Sequence, residues 1–187
     1  NNFPEICGSI CPQDRLCEGN CVIEKGFESV TIGRVEKHIT DTAWEKGWVQ
    51  PVKPNKEINK SIGIIGSGPA GLSAAEQLRK KGYKVEVYDR YDRPGGLLIY
   101  GIPNFKLEKY AVERRTKILK KGGVIFHNNF EVGKTKSFEF LREKHSAILV
   151  ATGVYKARDI DIPGLELENV FPALDYLTAS NKKGLGD

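Results

Sequence analysis

The run IGIIGSGPAGLSAAEQLRKKGYKVEVYD, from Ile62 to Asp89, decides the fold class of this chain. Ile62-Gly63-Ile64-Ile65 reads as a short buried strand, and the glycine-rich turn after it opens a helix over Pro69–Lys81. Ala70, Ala74, Ala75 and Leu78 are expected on the inner face of that helix. Arg79, Lys80 and Lys81 fall in its last turn, where cations suit the helix dipole, and Gly82 ends it. Lys84–Tyr88 follows as a second strand. Strand, tight turn, helix and strand in this order predict an α/β protein with a mainly parallel sheet.

Gly66-Ser67-Gly68-Pro69-Ala70-Gly71 is a G-x-G-x-x-G that follows a strand and opens a helix, the context in which this hexapeptide marks a dinucleotide site. Gly66 permits the tight turn, Gly68 lets the backbone approach a pyrophosphate, and Gly71 allows close helix–strand packing. Pro69 and Ala70 start the helix, whose N–H groups and positive dipole end suit phosphate. Asp89 stands 18 residues after Gly71, where a carboxylate accepts hydrogen bonds from a ribose hydroxyl. It would repel a 2′-phosphate, so FAD or NAD fits better than NADP. Downstream, Asp89 and Arg90 are followed by the pair Gly95-Gly96 and then Leu97, and Thr152-Gly153 closes the last strand. Both features resemble the flavin-binding half of flavoproteins with two dinucleotide domains. Backbone stripped of side chains can lie against a bulky cofactor. FAD is the expected ligand; the bland alternative is a glycine-rich turn beside a solvated Asp89.

Outward from this unit, a helix is expected near Glu108–Lys120, a strand near Val124–His127, a short helix near Ser137–Lys144 and a strand at Ala147–Ala151. Upstream, Ile32, Val35, Ile39 and Ala43 recur at helical steps and Gly47 is a good stop. Residues 48–60, with Pro51, Pro54 and several lysines, read as a linker.

Composition narrows the class. With 187 residues, 40% hydrophobic and 28% charged, the chain is an ordinary globular protein that needs no disulfide staples. No apolar run approaches the ~20 residues a membrane-spanning helix requires. The net charge of +5 is spread along the chain. Its densest stretch, Arg114–Lys121 with Arg115, Lys117 and Lys120, is expected to be the wet face of a helix rather than an anion site. Basic residues show no aromatic interleaving or recognition-helix pattern, so nucleic acid is not an expected partner. The sequence opens Asn1-Asn2-Phe3-Pro4 and holds no Met, and so reads as a piece of something longer.

All four cysteines, Cys7, Cys11, Cys17 and Cys21, lie in the first 21 residues with the spacing C-x3-C-x5-C-x3-C. Short gaps of this kind suit iron–sulfur ligation, because several thiolates must converge on one compact cluster. Structural zinc prefers two close pairs held apart by a longer insert, and disulfides would be spread through the fold. Zinc, disulfides and idle thiols stay open as alternatives. Gly8, Gly19 and Cys11-Pro12 suit a loop turning tightly around a cofactor.

The runs CGSICPQDRLCEGNC (Cys7–Cys21), TIGRVEKHITDTAWEKGW (Thr31–Trp48), GSGPAGLSAA (Gly66–Ala75) and DRPGGLLIYGIPNFKLEK (Asp92–Lys109) closely resemble the small, or β, subunit family of bacterial glutamate synthases. More distantly the chain is similar to the N-terminal electron-input module of dihydropyrimidine dehydrogenase. The resemblance implies a cytoplasmic oxidoreductase subunit that takes hydride from NADPH onto FAD. It passes electrons through [4Fe–4S] clusters toward the large (α) subunit, where glutamate is made. It also implies that Cys11 and Cys17 join one cluster and Cys21 another, with Cys7 a bystander and Glu36 a candidate oxygen ligand; an exposed helix carboxylate is the alternative for Glu36. The expected division is a helical iron–sulfur region (1–49), a linker (50–60) and part of a Rossmann-like FAD-binding domain (61–187).

Two family features are missing: an upstream C-x2-C-x4-C-x3-C run and a second G-x-G-x-x-G/A unit for NADPH. A related pyrimidine- or ferredoxin-linked reductase, or a truncated binding remnant, therefore stays as an alternative. No acid–base constellation is evident. His38, His127 and His145 are expected to be structural or surface residues, and Trp44 and Trp48 to dock the first region on the second. Leu97-Leu98-Ile99-Tyr100 is either core or flavin pocket.

Overall fold

The computed structural model describes residues 3–158 and 160–186, so the outermost residues of the expected division lie outside it. Pro4 opens α1 (Pro4–Ile10), where the first turn has no use for its missing N–H. A 3-10 turn (Gln13–Arg15) and further turns lead to α2 (Ile32–Glu45). Gly8 therefore lies in a helix, not in the loop expected for it. A Cβ on Gly8 would run into the carbonyl oxygen of Gly33, so the two helices touch backbone to backbone. This contact changes which face of α2 is inside. Gly33 and Thr40 are buried, whereas Val35 and Ile39 of the apolar stripe are 47% and 62% exposed. Close approach selects the smallest residues rather than the most apolar.

Residues 48–60 carry no helix or strand. They are nonetheless tied down, because Ile58 N donates to Gly82 O at 2.8 Å and Arg79 pairs with Glu57. Trp48 does not dock: it is 67% exposed, with Lys46 over its ring.

The rest is β1 (Ser61–Ile65), α3 (Pro69–Lys80), β2 (Lys84–Tyr88), α4 (Leu97–Tyr100), α5 (Lys109–Lys121), β3 (Ile125–His127), α6 (Phe138–Lys144), β4 (Ala147–Val150) and α7 (Ala173–Leu185). The strands form one parallel sheet in the order β3-β2-β1-β4, with Ile64 opposite both Val87 and Leu149. Ile64, Val85 and Val87 on one face join a core with Leu72 and Ala75 of α3 and Val112 and Leu119 of α5. Ala70, expected inside, is exposed in the first turn of α3, and Leu72 takes the inner position. Phe3, which caps α1, and Ile6 within it belong to the same core, as do Leu98, Ile99 and Tyr100.

Two arginines overturn the reading of the basic run. Arg115 is 6% exposed and Glu5 1%, and the two make a bidentate pair at 2.7, 2.9 and 3.1 Å. Arg114 pairs with Asp41 of α2, and both guanidiniums lie over the ring of Trp44. Only the lysines of the run are solvated, since Lys117, Lys120 and Lys121 are exposed. The helix turns Lys117, Lys120 and Lys121 to water and its arginines to α1 and α2.

The other face of the sheet is polar. Gly63 leaves room for the ring of His145, which would come within 2.7 Å of a Cβ there. His145 joins Tyr88 Oη at 2.9 Å and Ser61 Oγ at 3.1 Å. Glu86 Oε2 accepts from Lys144 Nζ and His127 Nε2, both at 2.6 Å, and from Tyr88 Oη at 2.9 Å. His127 and His145 are thus structural, and His38 is exposed. Burial opposes ionisation of Glu86, but its three donors outweigh burial and bring the carboxyl from 4.5 down to about 2. Its contribution to stability is complete above the unfolded value of 4.5 and is lost as pH falls toward 2. Urea midpoints across this acid range should therefore fall for the native chain, and Glu86→Gln should flatten the fall. Parallel curves for the two proteins would contradict the assignment.

Candidate cofactor site

At the C-terminal end of β1, Gly66 takes a left-handed φ of +103° and donates its N–H to Tyr88 O at 2.8 Å. A Cβ on Gly71 would run into the carbonyl oxygen of Gly66, so α3 can start here only with glycine at that position. Nothing lies within 4 Å of where a Cβ on Gly68 would stand. Its backbone faces open space at the N-terminus of α3, the arrangement that suits a pyrophosphate. Pro69 follows at the start of the helix, and Ala70 is exposed in its first turn.

Ser67, between the glycines, is completely buried, although the G-x-G-x-x-G fingerprint leaves its position free. Its N–H and Oγ donate to Asp89 Oδ2 at 2.6 and 2.5 Å. Asp89 Oδ1 accepts from Tyr91 N at 2.9 Å. The carboxylate, 7% exposed, is committed first to the glycine loop. A carboxylate has about four lone-pair sites, so about one remains for a ligand hydroxyl. Gly95 N donates in turn to Ser67 O at 3.0 Å and approaches Ser67 Oγ at 3.2 Å. The glycine pair is thereby drawn onto the loop, and a Cβ on Gly96 would lie 2.9 Å from Gly68 Cα.

Gly66 and Asp89 border a crevice of about 200 Å³, lined also by Ile65, Tyr88, Arg90, Tyr91, Phe130, Glu131, Val132, Thr152 and Tyr155. It opens beyond the carboxyl ends of the strands, beside β1, where the strand order reverses, the usual ligand position in an open α/β sheet. Arg90 lies 4.1 Å over the ring of Tyr155 and 5.1 Å over that of Tyr91. Tyr155 carries no sequence signal, because it reaches the crevice only through the path of the chain after β4. Gly153 takes a left-handed φ of +70° in that path. Leu97 points outward at 43% exposure while Leu98, Ile99 and Tyr100 fill the core, which divides a run that sequence left undivided. The backbone cradle, the single buried carboxylate and the flat cation beside two rings fit a dinucleotide.

All four thiols are free. Cys7 lies in α1 and Cys11 at its C-terminal cap, with Cys11 N donating to Cys7 O at 3.0 Å. Burial first, then the neighbouring Cys11 and the charges of Glu36 and Glu5, push the Cys7 thiol up. Glu36 is half-buried on α2 on the side of Cys7. Backbone groups of Val30 and Ile23 at Cys21 hold its thiol down. Among the described residues, no three His, Cys, Asp or Glu side chains are gathered as a metal site. The donor chemistry, thiols with a carboxylate and backbone N–H groups directed at sulfur, fits an iron–sulfur group.

Removing the Ser67 hydroxyl should weaken the loop rather than the sheet. Ser67→Ala deprives a buried carboxylate of one donor and should cost about 1.5–3 kcal/mol, read from thermal or urea unfolding. Gly96→Ala places a Cβ against Gly68 at a φ of +54°. It should cost about 1–3 kcal/mol in stability, leave the far-ultraviolet circular dichroism unchanged and abolish retention of flavin through purification.

The model of dihydropyrimidine dehydrogenase domain II, 4Fe-4S cluster, matches residues 1–48, and that of an NAD(P)-binding Rossmann-like domain matches residues 64–129. The glutamate synthase [NADPH] small chain of Azospirillum brasilense is 68% identical over 188 positions, covering 100% of this chain and 39% of that one. The glutamate synthase [NADPH] small chain of Bacillus subtilis is 45% identical, covering 99% of this chain and 37% of that one. Among solved structures, Mycobacterium tuberculosis FprA in complex with NADPH superposes with a TM-score of 0.59 at 25% identity, over 69% of this chain and 29% of that one. The chain thus spans about two fifths of the curated relatives it matches. Along the whole of its own length, it is similar to glutamate synthase small chains.

Proposed function

We propose that this chain is the FAD- and cluster-bearing part of the small subunit of a glutamate synthase. In this reading electrons from NADPH pass through FAD and [4Fe–4S] clusters to a large (α) subunit in the cytoplasm. One observation carries the reading: Ser67 ties the Gly66–Gly71 loop, Asp89 and the Gly95–Gly96 pair together beside the crevice that Gly66 and Asp89 line, in a fold whose core also takes in the cysteine-bearing helix. High identity to glutamate synthase small chains along the full chain supports it. The division into an iron–sulfur region (1–49), a linker (50–60) and an FAD-binding domain (61–187) belongs to the same proposal.

When bound, FAD supplies the change from paired to single electrons. The rest is binding and positioning by the protein. Gly66, Gly68, Pro69, Ala70 and Gly71 present bare backbone and helix N–H groups to the pyrophosphate. Asp89 offers its remaining lone pair to a ribose hydroxyl. Arg90, lying over two tyrosine rings, lines the mouth of the crevice. Gly95, Gly96 and Leu97 on one side, and Thr152 and Gly153 on the other, leave a path for the rest of the cofactor. Cys11, Cys17 and Cys21, with Glu36 and Cys7 as further candidates, are the donors for iron. No side chain is asked to move a proton, and no membrane-spanning helix occurs among the described residues.

An anaerobic absorption spectrum of the native polypeptide, with iron, acid-labile sulfide and flavin assayed on the same sample, tests this. Flavin bands over a broad iron–sulfur shoulder, bleaching on addition of NADPH, are expected. A colourless protein that takes up neither FAD nor iron on reconstitution would overturn the reading.

A further inference from the structure

Helix α5 touches both halves of the proposed electron path within one turn. Val112, fully buried, backs the flavin loop: its Cγ1 would lie 3.0 Å from a Cβ on Gly95. One turn later Arg115 grips Glu5, which lies in α1 two residues before Cys7 and six before Cys11. The guanidinium also lies 5.5 Å over Phe3 and 5.2 Å over Trp44, so carboxylate and rings orient its plane together.

We propose that Arg115 is a positioning residue for electron transfer, holding the Cys7–Cys11 helix at a set distance and angle from the Gly95–Gly96 loop. The proposal rests on the functional reading above. A lysine could neutralise Glu5 but could not reproduce the planar fork that fixes direction as well as distance. Stability alone does not call for this residue, because buried ion pairs are often no better than well-packed apolar side chains. Arg114 and Asp41 make a second tie from α5, to α2, and leave α1 to Arg115 alone among the ion pairs described.

The test uses the holoprotein as purified, with Arg115→Lys and Arg115→Met variants, and two readouts. Stopped-flow mixing with NADPH separates bleaching of flavin from the later reduction of the clusters, and amide hydrogen exchange is followed at residues 5–11 and 84–88. In the lysine variant, with flavin and iron retained, the first phase should keep its rate and the second should slow about tenfold. Exchange should quicken at residues 5–11 and stay unchanged at 84–88. If the methionine variant does not fold, the lysine variant carries the test. A lysine variant with full cofactors and a native second phase would overturn the proposal, as would exchange quickening in both segments, the mark of a merely stabilising pair. A native protein that holds neither flavin nor iron would refute the functional reading instead. Exchange would then still judge the coupling, and unchanged exchange at residues 5–11 in the lysine variant would reject it.

Discussion

The crevice depends on one place where backbone must meet backbone. A side chain on Gly71 would strike the carbonyl oxygen of Gly66, and one on Gly66 would strike that of Ala151. With both absent, β1 turns directly into α3 while β4 passes alongside. Ser67 is then forced inward, where its N–H and hydroxyl need an acceptor, and Asp89 at the end of the neighbouring strand supplies it. Ser67 also takes the N–H of Gly95, which draws the next loop onto the first. A chain of protein hydrogen bonds therefore pre-forms the cradle, and a ligand need not pay to assemble it.

Charge ties the cysteine region to this cradle. Burying Arg115 and Glu5 costs desolvation that only close, bidentate geometry offsets, and the pair has that geometry. Phe3 and Ile6 extend the same contact into the core that holds Ile99 and Val112. On the opposite face of the sheet, Glu86 gathers Lys144, His127 and Tyr88 in place of an apolar layer. The two histidines are consumed by that network, which is why neither is free for chemistry.

Much of the Rossmann-like part was legible in the sequence. β2 matches its expected bounds, and β1, α3, α5, β3, α6 and β4 lie within a residue or so of theirs, because each carries its own periodicity and its own cap or glycine stop. α1 was hidden by a composition of cysteine, glycine and serine that favours loops, and it forms because Gly8 can pack on Gly33. α4 is too short to show a period. α7 did carry a signal, with Leu174, Leu177, Asn181 and Leu185 at helical steps, and Asn181 docks it by donating to Tyr100 O at 3.1 Å. In the site, the glycines and Asp89 were visible as types at a spacing. Ser67 and Tyr155 were not, because one occupies a position the motif leaves free and the other arrives by chain path alone.

Local chemistry along the chain was enough to specify the strand–turn–helix order, the glycine positions where a Cβ cannot stand, and the clustering of thiols. These are properties of neighbours in sequence, set by backbone sterics and side-chain period. Which arginines of one basic run turn inward, which face of α2 is covered and whom Asp89 serves were decided only when distant segments met. Glu5 and Arg115 are 110 residues apart, and Ser67 and Asp89 are 22. A buried charge or hydroxyl takes whatever partner the fold brings within reach, and no local pattern encodes that partner.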